Sequence, residues 1–150
     1  MRKYIITPAL LAIVCMVMCH CTFNRKASVA ANEYLIQGEL ANLPDSIVIG
    51  LYEEDGSILN CVWRDTLMNG QFSFRDTVST TRKMLIMSDN RGFPGTWLEV
   101  WIAPGEYIEI KGQDKLVKTW EVVSDVLEQQ EENRFTACAM PQQKELMQHM

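Results

Sequence analysis

Apolar and polar residues alternate along residues 33–112 in short runs broken by turn residues, a pattern that predicts strands rather than helices. Tyr34, Ile36, Gly38 and Leu40 share one face of a first strand, Leu35 and Gln37 open the other, and Asn42-Leu43-Pro44-Asp45 ends it. Residues 46–53 set Ile47, Ile49 and Leu51 against Val48. Asp55-Gly56 reads as a tight turn that tolerates positive φ. Residues 57–64 follow, with Ile58 and Val62 on one face and Leu59, Cys61 and Trp63 on the other. Asn69-Gly70 is the strongest hairpin signal and predicts a two-residue type I′ turn, answered by Phe72 and Phe74 in residues 71–75. Residues 83–88 form a compact apolar strand, and 96–102 place Trp97 and Trp101 opposite Leu98, Val100 and Ile102. Pro104-Gly105 predicts a type II turn before Tyr107, Ile108 and Ile110.

Seven or eight strands at this spacing, with no helix-length segment between them, exclude a parallel sheet built on crossover helices. The expected fold is all-β: a two-sheet antiparallel β-sandwich followed by a C-terminal helical segment, with an open barrel as the alternative. After Lys118 the pattern changes. Trp120, Val122 and Ser124 can still alternate as an edge strand, and Asp125 with Glu128 has the spacing of a helix N-terminal capping box. The helix that follows carries a thin apolar stripe of Leu127, Phe135 and Cys138. Pro141 is expected to end or kink it, with Leu146, Met147 and Met150 on one side of what comes next. Such a finish resembles a linker or a shortened reading frame more than a structural end.

The chain divides accordingly into a signal segment (1–20), a polar tether (21–32), a β-sandwich domain (33–124) and a helical linker or tail (125–150). Met1-Arg2-Lys3 is a short positive start, and Ile5 to Met18 is apolar apart from Thr7 and Pro8. That run is shorter than the roughly 20 residues needed to span a bilayer core, which favours an export signal over a permanent anchor. Cys15, Cys19 and Cys21 crowd its end. Cys21, and after it Cys19, are candidate lipidation sites of a bacterial lipoprotein, although the residues before both are larger than that cleavage normally accepts. A soluble exported protein cut near the same point is the competing reading.

Composition adds exclusions. At 150 residues there is room for one domain, and 47% hydrophobic with 22% charged residues describes a folded protein. The formal charge is −5; losing Arg2 and Lys3 with the signal leaves nineteen acids against twelve bases, or −7. No basic cluster offers nucleic acid or an anionic membrane a binding patch. His20 and His149 stand at opposite ends, so no multi-histidine centre can form in one chain.

Candidate chemistry is sparse. Glu53, Glu54 and Asp55 could offer calcium oxygens but read better as a solvated hairpin tip. Asp65, Asp76 and Asp89 read as turn residues after strands, and no two carboxylates are paired by the linear order. Cys61 reads as a small buried hydrophobe; a disulfide with Cys138 is chemically allowed outside the cytoplasm, but nothing in the pattern demands it. Cys138 has no second cysteine at redox spacing. Trp63, Trp97 and Trp101 are either core or a binding surface for sugar or peptide. No residue earns a catalytic, cofactor-binding or metal-binding assignment, and no cofactor is expected.

Three stretches carry a resemblance: Tyr34-Leu35-Ile36-Gln37-Gly38-Glu39-Leu40, Asn69-Gly70 with Phe72-Ser73-Phe74, and residues 103–112 (Ala-Pro-Gly-Glu-Tyr-Ile-Glu-Ile-Lys-Gly). Together they resemble the uncharacterised β-sandwich domain that precedes the thioredoxin-like, AhpC/TSA-type domain of exported thiol–disulfide oxidoreductases in Bacteroidetes-type bacteria. Residues 120–133 are similar to that domain's exit into a helical linker, and the resemblance covers about residues 33 to 135. It implies a lipoprotein on the periplasmic side of a membrane, with a thioredoxin-like redox domain or protein as partner. The redox pair of that family lies downstream and has no counterpart here, so no catalytic residue carries over. The expectation is a non-catalytic accessory module of such an oxidoreductase, present without its thioredoxin domain. The alternatives are the remnant of an interrupted oxidoreductase gene and a periplasmic binding module with an aromatic face. A homodimer through the C-terminal helix is a further expectation.

Overall fold

The computed structural model describes residues 28–148, with side chains through Met140. The signal segment, Cys15, Cys19, Cys21 and His149 lie outside the described residues. Eight strands form two four-stranded sheets: β1 (Glu33–Leu40), β2 (Val48–Asp55), β3 (Ile58–Thr66), β4 (Gln71–Thr77), β5 (Arg82–Met87), β6 (Leu98–Ile102), β7 (Tyr107–Gly112) and β8 (Glu121–Val123). One sheet runs β4-β1-β7-β8 and the other β3-β2-β5-β6. A single 3₁₀ turn, Val117–Thr119, precedes β8, and one helix, α1 (Leu127–Gln148), closes the described chain. This is the two-sheet sandwich with a terminal helix that the alternation predicts.

One pairing departs from the antiparallel expectation. β1 and β7 run parallel, Ile36 opposite Ile108 and Gly38 opposite Ile110. Local pattern reports which residues share a face but not the direction of a neighbour 72 positions away. The inward faces meet in one core, where Ile36, Ile49, Leu51, Phe74, Ile86, Val100, Ile102, Ile108 and Ile110 are wholly buried. Each such side chain contributes about 1.5–3 kcal/mol by leaving water. Phe93 and Trp120 close one end of the core edge to face, with ring centroids 5.8 Å apart.

The turns follow their residues. Asn69 and Gly70 both have positive φ, 52° and 74°, and Met68 and Gln71 exchange two backbone hydrogen bonds across them, as type I′ requires. The hairpin does more than reverse the chain, because it carries β3 of one sheet into β4 of the other. Gly105 (φ 79°) follows Pro104 in the type II position, and the N–H of Glu106 reaches the carbonyl of Ala103. The β2–β3 turn is displaced by one residue from its expected place. Asp55 pairs with Ile58, so Gly56 and Ser57 form the loop, with positive φ at Gly56 only.

Two expectations fail on the third strand. Its alternation is broken by a β-bulge: Leu51 lies opposite Trp63 and Tyr52 opposite Cys61, leaving Val62 as the extra residue. As an edge strand it buries neither face, and Ile58, Leu59, Val62 and Trp63 are all exposed, so Cys61 is half-buried rather than core. Asp65 and Asp76 lie within β3 and β4 rather than after them. Finally, Pro141 does not divide the helix, which runs unbroken from Leu127 to Gln148. Proline's fixed φ of about −65° is itself helical, and in the interior it removes one hydrogen bond without forbidding the helix.

Candidate functional site

Each flank of the sandwich leaves a pair of free sheet edges, and each pair is tied by side chains. On one flank, β3 and β4 are the edges. Asp65 of β3 accepts the N–H of Ser73 on β4 through one carboxylate oxygen (2.7 Å) and that of Thr66 through the other (2.7 Å). On the opposite flank, β6 and β8 are the edges, and α1 lies against them. Gln129, 1% exposed, accepts the N–H of Trp101 on β6 at 2.8 Å and donates to Asn133 at 3.0 Å. Asn133 in turn donates to the carbonyl of Val122 on β8 at 2.7 Å. Two neutral amides one helical turn apart thereby satisfy an edge donor of one sheet and an edge acceptor of the other. Unpaired edge groups template aggregation, so the arrangement also blunts both edges.

The helix start is set by the same region. Ser124 Oγ accepts the N–H of Val126, and Gln130 donates to the carbonyl of Ser124. The apolar stripe read from the sequence is not what docks: Leu127 is 66% and Phe135 73% exposed, and Cys138 is exposed.

Between the β6 edge, β8 and α1 lies an open cleft of about 970 Å³, with Trp97, Trp120, Phe135 and Met140 among its apolar walls and Glu99, Lys118 and Glu132 among its polar ones. Trp97, 50% exposed, stands at its mouth. Trp101 shares the outer face of β6, is half-buried against α1 and lines a shallower recess with Leu127, Glu131 and Phe135. Its Nε1–H is buried with no hydrogen-bond partner among the described residues. The structure therefore brings Trp97 and Trp101 to the same flank. It leaves Trp63 apart, since the order β3-β2-β5-β6 puts two strands between them.

The remaining candidates are dispersed. Glu53 is paired with Arg82 at 2.6 Å, within β2 and short of the hairpin loop. No group of three His, Cys, Asp or Glu residues is placed to hold a metal among the described residues. Cys61 and Cys138 are free thiols, one on β3 and one on α1. Gln129 and Asn133 escaped the reading of the sequence because they sit in a polar run, Gln129-Gln130-Glu131-Glu132-Asn133, in which nothing distinguishes the two bridging amides from their solvated neighbours.

No protein-family description matches the chain, and neither a curated protein nor a solved structure does.

Proposed function

We propose that this chain is a non-catalytic accessory module of an exported thiol–disulfide oxidoreductase, held on the periplasmic side of a bacterial membrane by a lipid on Cys21 or, in its place, Cys19. The observation that carries the reading is how the sandwich hands over to α1. The helix is fixed to one sheet edge by the buried amide of Gln129 and to the other by the exposed amide of Asn133, yet Leu127 and Phe135 remain in water. A helix docked through polar groups with Leu127 and Phe135 left outside supports a role in presenting a surface to a neighbour. The neighbour on this reading is a thioredoxin-like redox domain or protein. No described helix is long and apolar enough to cross a membrane, and the lipid supplies the attachment instead.

The purified protein should show no turnover in insulin-reduction or dithiol–disulfide assays beyond that of a Cys61→Ser/Cys138→Ser control. Robust turnover above that control would sink the proposal. Finding a Cys-x-x-Cys in or out of frame in the DNA after the Met150 codon would favour the interrupted-gene remnant instead.

A second reading, a binding module with an aromatic face, is favoured by one observation: Trp97 stands half exposed at the mouth of the cleft. Short oligosaccharides and peptides should then change tryptophan fluorescence in the native protein but not in Trp97→Ala. An unchanged native signal across both ligand classes removes the reading.

A further inference from the structure

The β-bulge on β3 has a chemical consequence. In an unbroken strand, residues three apart point to opposite faces. Here the extra Val62 resets the alternation, so Cys61 stands opposite Tyr52 and Arg64 opposite Gly50. Tyr52 and Gly50 are two apart on β2 and face away from buried Ile49 and Leu51, so Cys61 and Arg64 share that outer face. The Tyr52 ring folds back over Gly50: a Cβ there would lie 2.4 Å from the ring and 3.0 Å from its hydroxyl oxygen. Only glycine leaves that space, and it brings the phenol hydroxyl toward the Gly50–Arg64 row. The Cys61 thiol donates to the carbonyl of Trp63 at 3.3 Å, across the bulge. A thiol and a guanidinium on the edge strand β3 and a phenol on the neighbouring β2 are thus gathered on one outer face of the sheet, far from α1.

Electrostatics agrees with the geometry. The Cys61 sulfur, by its charge and then by a hydrogen bond, is the foremost cause holding the Arg64 guanidinium above its ordinary range, with Tyr52 behind it. The Tyr52 hydroxyl is pushed up as well, by burial first, then by Cys61 and by Asp89, against a lowering contact from Arg64. Glu54 is the next outward residue on β2, opposite Leu59.

We propose that Cys61 is a thiol–disulfide exchange site for anionic disulfides, with Arg64 as the positioning residue that receives their carboxylates. The Cys61 sulfur, its proton released to water, attacks one sulfur of a disulfide RS–SR. The new Cys61–SR bond forms as the RS–SR bond breaks, and RS⁻ leaves with the electron pair and takes up a proton. The Cys61 thiol is oxidised to the disulfide level as the departing sulfur is reduced to a thiol, so the disulfide itself is the oxidant and no other is needed. The described residues set no second cysteine beside Cys61 to resolve the mixed disulfide, so the exchange is stoichiometric and distinct from turnover of the kind tested above. The inference stands on this face alone and does not depend on the oxidoreductase reading.

The test uses the full chain and two probes, glutathione disulfide (anionic) and cystamine (cationic), with peptide mass mapping of the mixed disulfide at each cysteine at neutral pH and low salt. Cys61 should react faster with glutathione disulfide than with cystamine. Arg64→Gln should lower the glutathione rate at Cys61 by about fivefold, the size of one nearby charge in water, while sparing the cystamine rate and both rates at Cys138. Arg64→Lys should retain most of the preference. Equal loss toward both probes in Arg64→Gln, or no change toward either, overturns the assignment, as does an absent mixed disulfide at Cys61 while Cys138 reacts.

Discussion

The side-chain amide of Gln129 accepts the backbone N–H of Trp101 at 2.8 Å from a position 1% exposed to solvent. Through Asn133 the same amide reaches the carbonyl of Val122, so a single helical turn joins the free edges of the two sheets. A helix held this way is specified by hydrogen-bond geometry. Its exposed Leu127 and Phe135 contribute little to the attachment.

Replacing Gln129 tests that attachment. Gln129→Leu keeps the volume but strands the Trp101 N–H and one partner of Asn133, and should destabilise by about 1–3 kcal/mol per unsatisfied group. Urea unfolding measures the loss. Amide exchange should show it concentrated in α1 and β8, and a variant as stable as the native protein would mean that the amide relay is incidental.

At the β3–β4 hairpin, Gly70→Val should cost on the order of 1–3 kcal/mol, since a β-branched residue is strained at φ 74°. Space is also short, because a Cβ at Gly70 would come within 2.9 Å of the Leu40 carbonyl oxygen, which accepts no relief from a rotamer change. The denaturation midpoint should fall with an unchanged urea dependence. A drop below about 0.5 kcal/mol would show that the loop relaxes into another turn.

Tyr34 should make stability fall in alkali. Its hydroxyl is pushed up to about 12, chiefly by burial and then by the Asp76 carboxylate opposite it. The folded state therefore binds the phenolic proton more tightly than the unfolded chain, whose tyrosine titrates near 10. This stabilisation is whole below pH 10 and is lost as pH rises toward 12, by about 2–3 kcal/mol in all. Tyr34→Phe should flatten that part of the pH–stability curve, and a curve identical to the native one would refute the assignment.

Phe135 separates folding from association. At 73% exposure, Phe135→Ala should change the unfolding free energy by no more than about 0.5 kcal/mol. If the helix joins a second copy, sedimentation should show self-association in the native protein that the variant lacks. A native protein that stays monomeric at high concentration restricts the exposed stripe to a different partner.

The sequence by itself determined most of the strands and the faces of those that are buried, because alternation and turn chemistry are local. Ile47, Ile49 and Leu51 had to share a side, and Asn69-Gly70 had to turn. What the tertiary structure alone decided is how distant segments meet. The parallel seat of β7 beside β1, the extra Val62 that places Cys61 with Arg64, and the burial of Gln129 between two sheet edges each depend on a partner far along the chain. The residues of the candidate surfaces followed the same division. Trp97 and Trp101 were legible as a same-face pair from their spacing, whereas their separation from Trp63 came from strand order. Polar residues were the hardest to read, since an amide in a solvated run and an amide that caps a buried edge have the same neighbours in sequence. Only packing removes the water from one of them and makes its hydrogen bonds count.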